Sequence, residues 1–136
     1  MQSSATNGGG SFFYTNYDGL FTLTITGSSL SSVNFQYNNG ERGTVNNQVV
    51  QRGSIIHLDG KTKKYTVVIN TSTFKNGVTA WQGGALRLGS TSSTVDTTIK
   101  GNVFDYNCGV SGGSIFCQNC NIILWENNNF TNSYAY

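Results

Sequence analysis

Apolar residues along this chain fall into two recurring registers. The first is a small residue followed by alternating apolar positions. It reads Gly9-Gly10-Ser11-Phe12-Phe13-Tyr14, then Arg52-Gly53-Ser54-Ile55-Ile56-His57, then Gly83-Gly84-Ala85-Leu86-Arg87-Leu88, then Gly112-Gly113-Ser114-Ile115-Phe116-Cys117. The second register lies downstream of each and pairs large apolar residues: Ile25 with Leu30, Ile69 with Phe74, Ile99 with Phe104, Trp125 with Phe130. Both alternate with period two, which predicts strands with every second side chain inward. Aligning Gly10, Gly53, Gly84 and Gly113 puts Phe12, Ile55, Leu86 and Ile115 in one inward column. Tyr14, His57, Leu88 and Cys117 form the next. Around the second register, Leu23, Val67, Thr97 and Ile123 are predicted inward, and Thr26, Asn70, Lys100 and Glu126 outward. Gly, Ser, Thr and Asn fill the turns between the two apolar positions.

A fixed internal order recurring at about 30 residues implies stacked units rather than one central core. No segment carries apolar residues at helical spacing, which argues against leucine-rich and βαβ repeats. The expected fold is all-β, a single-stranded parallel β-helix of about four coils, with strands of successive coils about 4.8 Å apart. One domain over residues 1–136 is expected. The longest gap separates Gly10 from Gly53, and its excess falls in residues 31–51, where Asn38-Asn39-Gly40 sits between apolar runs. That stretch is predicted to be a hairpin-like excursion. A β-sandwich also has short strands and turns, but it would not predict columns shared across four units.

Composition fits this picture. Charged residues make up 10% of the chain and hydrophobic ones 37%, with 17 glycines and no proline. A regular ladder needs every backbone N–H, which excludes proline from its interior. The net charge is +2, and the basic residues cluster only at Lys61, Lys63 and Lys64. Aromatics do not alternate with these lysines, so they read as a solvated turn and no nucleic-acid partner is expected. No run of 18 apolar residues exists, so no membrane insertion is expected. Residues 1–10 lack the basic and apolar regions of a signal peptide.

Some of these residues resemble a known pattern. Gly83-Gly84-Ala85-Leu86 and Gly112-Gly113-Ser114-Ile115 look like the GGA[ILV] motif of polymorphic outer membrane protein repeats. Phe104-Asp105-Tyr106-Asn107 and Phe35-Gln36-Tyr37-Asn38 match the accompanying FxxN motif, while Phe74-Lys75-Asn76 and Phe130-Thr131-Asn132 are shortened to FxN. The motifs cover residues 83–132 well and the first half poorly. The resemblance implies a right-handed β-helix in a secreted or cell-surface repeat protein, often an adhesin. The barrel of the bacterial family is not present in this sequence.

Candidate chemistry is sparse. The acids Asp18, Glu41, Asp59, Asp96, Asp105 and Glu126 share no repeat column, which speaks against the paired carboxylates of a glycan-cleaving enzyme. No enzymatic activity and no cofactor are expected. His57, the one histidine, reads as a hydrogen-bonded, semi-buried residue. Cys117-x-x-Cys120 invites a zinc reading, but a closed site needs four ligands and His57 lies two coils away. A disulfide in the last coil is expected instead, Cys108 to Cys120 ahead of the alternatives. Cys117 is then left packed inward, and the odd count leaves a thiol or an intermolecular bond open. Asn70-Thr71-Ser72 and Asn129-Phe130-Thr131 are glycosylation sequons, both expected to face solvent. A flat Thr-x-Thr array of the ice-binding kind is broken after Thr22, Thr24 and Thr26.

Two functional readings follow. The first is an extracellular or cell-surface structural or adhesive unit, self-assembling end to end through coils at Phe12, Tyr14, Trp125 and Phe130, or capped by flanking repeats of the same chain. Exposed strand edges and core cross-sections invite such addition. The second is a carbohydrate-binding or carbohydrate-cleaving β-helix, with Tyr14, Tyr17, Tyr37, Trp81 and Tyr106 as stacking surfaces for glycans.

Overall fold

The computed structural model describes residues 13–15, 20–31, 44–45, 48–49, 55–58, 64–91 and 94–135. The strands of the described residues come in four successive sets. The first holds β1 (Phe13–Thr15), β2 (Thr22–Thr26) and β3 (Ser29–Ser31); β4 (Thr44–Val45) and β5 (Gln48–Val49) follow it. The second set is β6 (Ile56–Leu58), β7 (Tyr65–Asn70), β8 (Thr73–Lys75) and β9 (Val78–Gln82). The third is β10 (Leu86–Leu88), β11 (Val95–Lys100), β12 (Val103–Asp105) and β13 (Cys108–Ser111). The fourth is β14 (Ile115–Cys117), β15 (Cys120–Glu126), β16 (Asn129–Thr131) and β17 (Tyr134–Ala135). The described residues contain no helix.

Equivalent strands of successive sets pair side by side. The sheet orders are β1-β6-β10-β14, β2-β7-β11-β15, β3-β8-β12-β16 and β9-β13-β17, every pairing parallel. The protein is therefore all-β and built of parallel sheets. Among the described residues, only β4 and β5 pair antiparallel, through Thr44 with Val49 and Val45 with Gln48. They fall within the expected excursion; its Asn38-Asn39-Gly40 signal lies outside the described residues.

The second register matches the pairing. Ile25, Ile69, Ile99 and Trp125 share one column, and Leu30, Phe74, Phe104 and Phe130 another. β7 and β11 alternate between buried and half-buried or exposed residues, as period two requires. Tyr65, Val67, Ile69, Phe74, Val95, Ile99 and Phe104 are fully buried, each burial worth about 1.5–3 kcal/mol. The Phe rings stack nearly parallel, 5.1 Å apart between Phe74 and Phe104 and 4.9 Å between Phe104 and Phe130. Stacking at this separation follows from the strand spacing.

The structure corrects the first register by one residue. Leu86 pairs with Ile56 and Ile115, and Ile56 with Phe13. His57 therefore shares its column with Tyr14, Arg87 and Phe116, not with Leu88 and Cys117. It is not semi-buried but 1% exposed. A β-bulge in β15 brings a second correction: Thr97 pairs with Ile122 and Thr98 with Leu124, so Ile123 is the extra residue and not the inward one.

The paired glycines answer two separate demands. Gly83 and Gly112 take positive φ of 65° and 64°. Gly84 instead permits close approach, because a Cβ there would press on the Gly113 and Gly77 carbonyls and the Cys108 amide, all inside 3.0 Å. Backbone cannot yield as a flexible side chain can. Gly27, at φ 60°, faces open space. Gly84→Ala is expected to destabilise by about 3 kcal/mol and Gly27→Ala by about 1 kcal/mol. Chemical denaturation of both variants checks the contrast, and equal losses would contradict the close-packed corner.

Candidate assembly face

Among the described residues, each change of direction after the second and third sheets is made by one left-handed residue. After β2, β7, β11 and β15 these are Gly27, Thr71, Gly101 and Asn127, with φ between 46° and 64°. After β8, β12 and β16 they are Asn76, Tyr106 and Asn132, with φ of 56°, 53° and 49°. Gly and Asn tolerate this region best. The residue that follows, Gly77 excepted, turns a small polar side chain along the stack. Ser28 N–H donates to Ser72 Oγ (3.2 Å), Ser72 N–H to Asn102 Oδ1 (2.9 Å), and Asn102 N–H to Asn128 Oδ1 (3.1 Å). The second corner repeats this: Gly77 N–H donates to Asn107 Oδ1 (2.9 Å) and Asn107 N–H to Ser133 Oγ (3.2 Å).

The amides also donate backwards. Asn102 Nδ2 reaches Ile69 O at 2.9 Å, Asn128 Nδ2 reaches Ile99 O at 2.7 Å, and Asn107 Nδ2 reaches Phe74 O at 3.0 Å. Asn102 and Asn107 are buried, so these bonds remove a desolvation cost of about 1–3 kcal/mol for each group otherwise left unpaired. The geometry also revises the shortened motifs. Asn76 and Asn132 are the left-handed residues, equivalent to Tyr106, and Gly77 and Ser133 stand where Asn107 does. The apparent FxN motifs are thus full-length corners with Gly or Ser at the last position.

Among the described residues, the fourth set forms an edge to all four parallel sheets. Its inward residues are correspondingly uncovered: Phe130 is 49% exposed, Ile122 57% and Tyr134 58%. An open cavity of about 310 Å³ lies among Gly113, Ser114, Ile115, Trp125, Phe130 and Tyr134. Trp125 donates its indole N–H to Thr97 Oγ1 at 2.8 Å, tying it to the third set. At the opposite edge, Leu23, Ile25 and Leu30 are half-buried, and Phe21 stacks on Tyr65 at 4.7 Å. Of the expected assembly residues, Trp125 and Phe130 thus lie on the fourth-set face. Tyr14 sits in β1 opposite His57, and Phe12 lies outside the described residues.

The disulfide joins Cys117 to Cys120, with Cα atoms 5.8 Å apart, and links the end of β14 to the start of β15. The expected Cys108–Cys120 bridge is not formed. Cys108 belongs to β13, a different sheet from both, and is a buried free thiol. Desolvation pushes its pKa up, partly offset by a hydrogen bond with Tyr134, so it stays protonated and unreactive. Among the described residues no group of three His, Cys, Asp or Glu could hold a metal. Asn129 is exposed, whereas Asn70 is half-buried with its Oδ1 enclosed, so the two sequons are not equivalent. Of the aromatics considered for glycan stacking, Tyr106 is exposed at a corner, and Tyr17 and Tyr37 lie outside the described residues.

The strand acids pair with lysines of the preceding set: Lys64 with Asp96 at 2.7 Å, Lys75 with Asp105 at 3.5 Å, and Lys100 with Glu126 at 2.6 Å. Lys61 and Lys63 lie outside the described residues. Hydrogen bonds from Lys64 and then Asn121 hold the Asp96 carboxyl below its usual pKa. Asn132, Thr131 and Lys75 do the same for Asp105. A general acid at neutral pH needs the opposite shift. Neither a scan against models of protein families nor searches of characterised proteins and of solved structures finds a match to the chain.

A lowered folded-state pKa contributes stability above the unfolded carboxyl pKa and loses it as pH falls through the folded value. The melting temperature is therefore expected to fall as pH drops below about 4. Asp105→Asn should flatten part of that decline. Thermal melts from pH 7 to pH 2 measure it, and an unchanged slope would contradict the assigned bonds.

Proposed function

We propose that the chain is a structural or adhesive unit of an extracellular protein, folded as a right-handed parallel β-helix of about four coils. The corner relay carries this reading: the backbone N–H groups of Ser28, Ser72 and Asn102 donate in turn to the side-chain oxygens of Ser72, Asn102 and Asn128, all in a single direction. A chain that revisits parallel sheets in one order, with side-chain bonds spanning 30 residues between its second and third sets, behaves as a one-dimensional stack. Parallel crossovers are overwhelmingly right-handed, which supports the handedness. The Cys117–Cys120 disulfide supports an oxidising compartment. The likeness to polymorphic outer membrane protein repeats agrees with both. Commitment of Asp96, Asp105 and Glu126 to lysines favours a scaffold over a catalyst.

Stacked repeats accept an extra unit because each contacts only its neighbours. Tandem duplication of residues 83–111 is expected to give a folded chain about 4.8 Å longer along the stack, with a higher melting temperature. Failure of the duplicated chain to fold would overturn the β-helix reading. The role is tested separately with a panel of polysaccharides. No release of reducing sugars is expected; release that is lost in Asp96→Asn or Asp105→Asn would replace the scaffold with a carbohydrate-cleaving enzyme.

A further inference from the structure

The geometry points to a directional interface: the fourth set of one copy takes the first set of a second copy, head to tail, in the register that runs from Ser28 to Asn128. This rests on the scaffold reading above and adds the partner, the polarity and the pairing. Its starting point is Ser28. Ser28 Oγ donates to Thr26 O at 3.3 Å. Ser72 Oγ makes the same bond to Asn70 O at 2.8 Å, and Ser133 Oγ to Thr131 O at 3.0 Å. In that posture Ser72 and Ser133 each accept a backbone N–H from the preceding set. Ser28 is thus set as an acceptor, and no preceding set stands before it among the described residues. At the other end, Asn128 N–H holds the position from which Asn102 N–H and Ser72 N–H donate forward. Among the described residues it meets no acceptor.

The columns of the second and third sheets match when the two faces are brought together, while β17 has no first-set counterpart among the described residues. Continuing the register places Leu30 on Phe130, Ile25 on Trp125 and Leu23 on Ile122, apolar against apolar throughout. The backbone follows the bonds already made inside the chain. Asn129 N–H donates to Asn102 O and Gly101 N–H to Glu126 O. Their equivalents across the interface are Ser29 N–H of the second copy to Asn128 O, and Asn127 N–H to Thr26 O of the second copy. The outward columns bring Thr22, Thr26 and Ser29 against Asn121, Glu126 and Asn129, so no like charges meet. The bulge in β15 is compatible, because the straight strand β11 already pairs with β15 across it. Face-to-face docking of two fourth sets would instead set donor against donor at Asn128. The operation is heterologous, and repeated addition gives an open filament.

Ser28→Asn offers a gain-of-function test in the full chain. An amide at this column both accepts from the set before and donates to its carbonyl, as Asn102 and Asn128 do. Sedimentation equilibrium is expected to show concentration-dependent association of the wild type, shifted by the substitution to about tenfold lower concentration. Polarity is read by mixing a Thr26→Cys chain with a Glu126→Cys chain under mild oxidation. Adjacent parallel strands hold opposed residues within disulfide reach. A link between the two introduced cysteines in the mixture, absent from either chain alone, supports the interface. A wild type and a Ser28→Asn variant that both stay monomeric overturn it, as does a Thr26→Cys chain that links only to itself. If the duplicated chain folds while these tests fail, the docking is wrong and the scaffold stands; if the duplicated chain does not fold, the scaffold reading fails first.

Discussion

Parallel pairing leaves every corner of this chain with backbone groups that point along the stack and need partners. Within strands the ladder supplies them. At a corner the chain leaves the ladder, and an unpaired buried N–H or carbonyl would cost as much as a lost hydrogen bond. At the described corners after the second and third sheets, the solution is one residue in the left-handed region followed by Ser or Asn, with Gly77 the exception, and the side chain reaches the preceding set wherever one is described. Ser72, Asn102 and Asn128 do this at one corner, and Asn107 and Ser133 at the next. With the corners fixed, the strands between them have no freedom of register. A slip of one residue would turn Ile69 and Ile99 outward and bring Asn70 and Lys100 into the core.

The apolar columns and the charge pairs both follow from that fixed register. Phe74, Phe104 and Phe130 stack because equivalent strands bring equivalent rings to the same point at the strand spacing. The same repetition would stack like charges, which is unfavourable on one sheet face. Here acids alternate with lysines instead: Asp105 sits opposite Lys75, and Glu126 opposite Lys100. Buried Tyr65 solves a related problem, since its hydroxyl donates to Leu58 O at 2.9 Å and accepts from Gly89 N–H at 2.6 Å. Arg87 is buried by equally specific means. It donates to Gln82 Oε1, Gln118 Oε1 and the Leu88 and Gly89 carbonyls, with its guanidinium 4.9 Å from the centre of the Phe116 ring.

The Ile and Phe columns were legible from sequence because two large apolar residues at constant separation admit one alignment. The glycine register was not. Two adjacent glycines look alike in a sequence, yet Gly83 serves a backbone angle and Gly84 a close contact. Where only Gly53 remained, either alignment was open, and the wrong one put His57 in the Leu88 column. The bulge at Ile123 escaped for a similar reason: Ile122, Ile123 and Leu124 are all apolar, so periodicity cannot say which is extra. From sequence, the Cys117–Cys120 link ranks behind Cys108–Cys120, because spacing alone does not show that a corner separates the two cysteines. Asn119 at φ 55° makes that corner, and its Nδ2 donates to Ser90 O at 2.7 Å and Thr91 O at 3.1 Å. Asn residues at corners were visible as turn formers, but their bonds to the neighbouring set were not.

The relay explains why the two end faces differ chemically. A hydroxyl in the corner column can accept from the set before while its proton stays with its own chain, as Ser72 does. An amide accepts and also donates to the earlier set's carbonyl, so it ties two strands where the hydroxyl ties one. The column runs Ser28, Ser72, Asn102, Asn128, and its bonding strengthens toward the fourth set. Internally this favours the third and fourth sets, where Asn102 meets Asn128 through both its N–H and its Nδ2. At its two ends the column presents the Ser28 hydroxyl oxygen, positioned as an acceptor, and the Asn128 N–H, positioned as a donor. A stack of identical units built on symmetrical contacts would have no such polarity. Here the polarity is written into a single column, in which Ser28, Ser72 and Asn102 each donate a backbone N–H to the side chain of the following set.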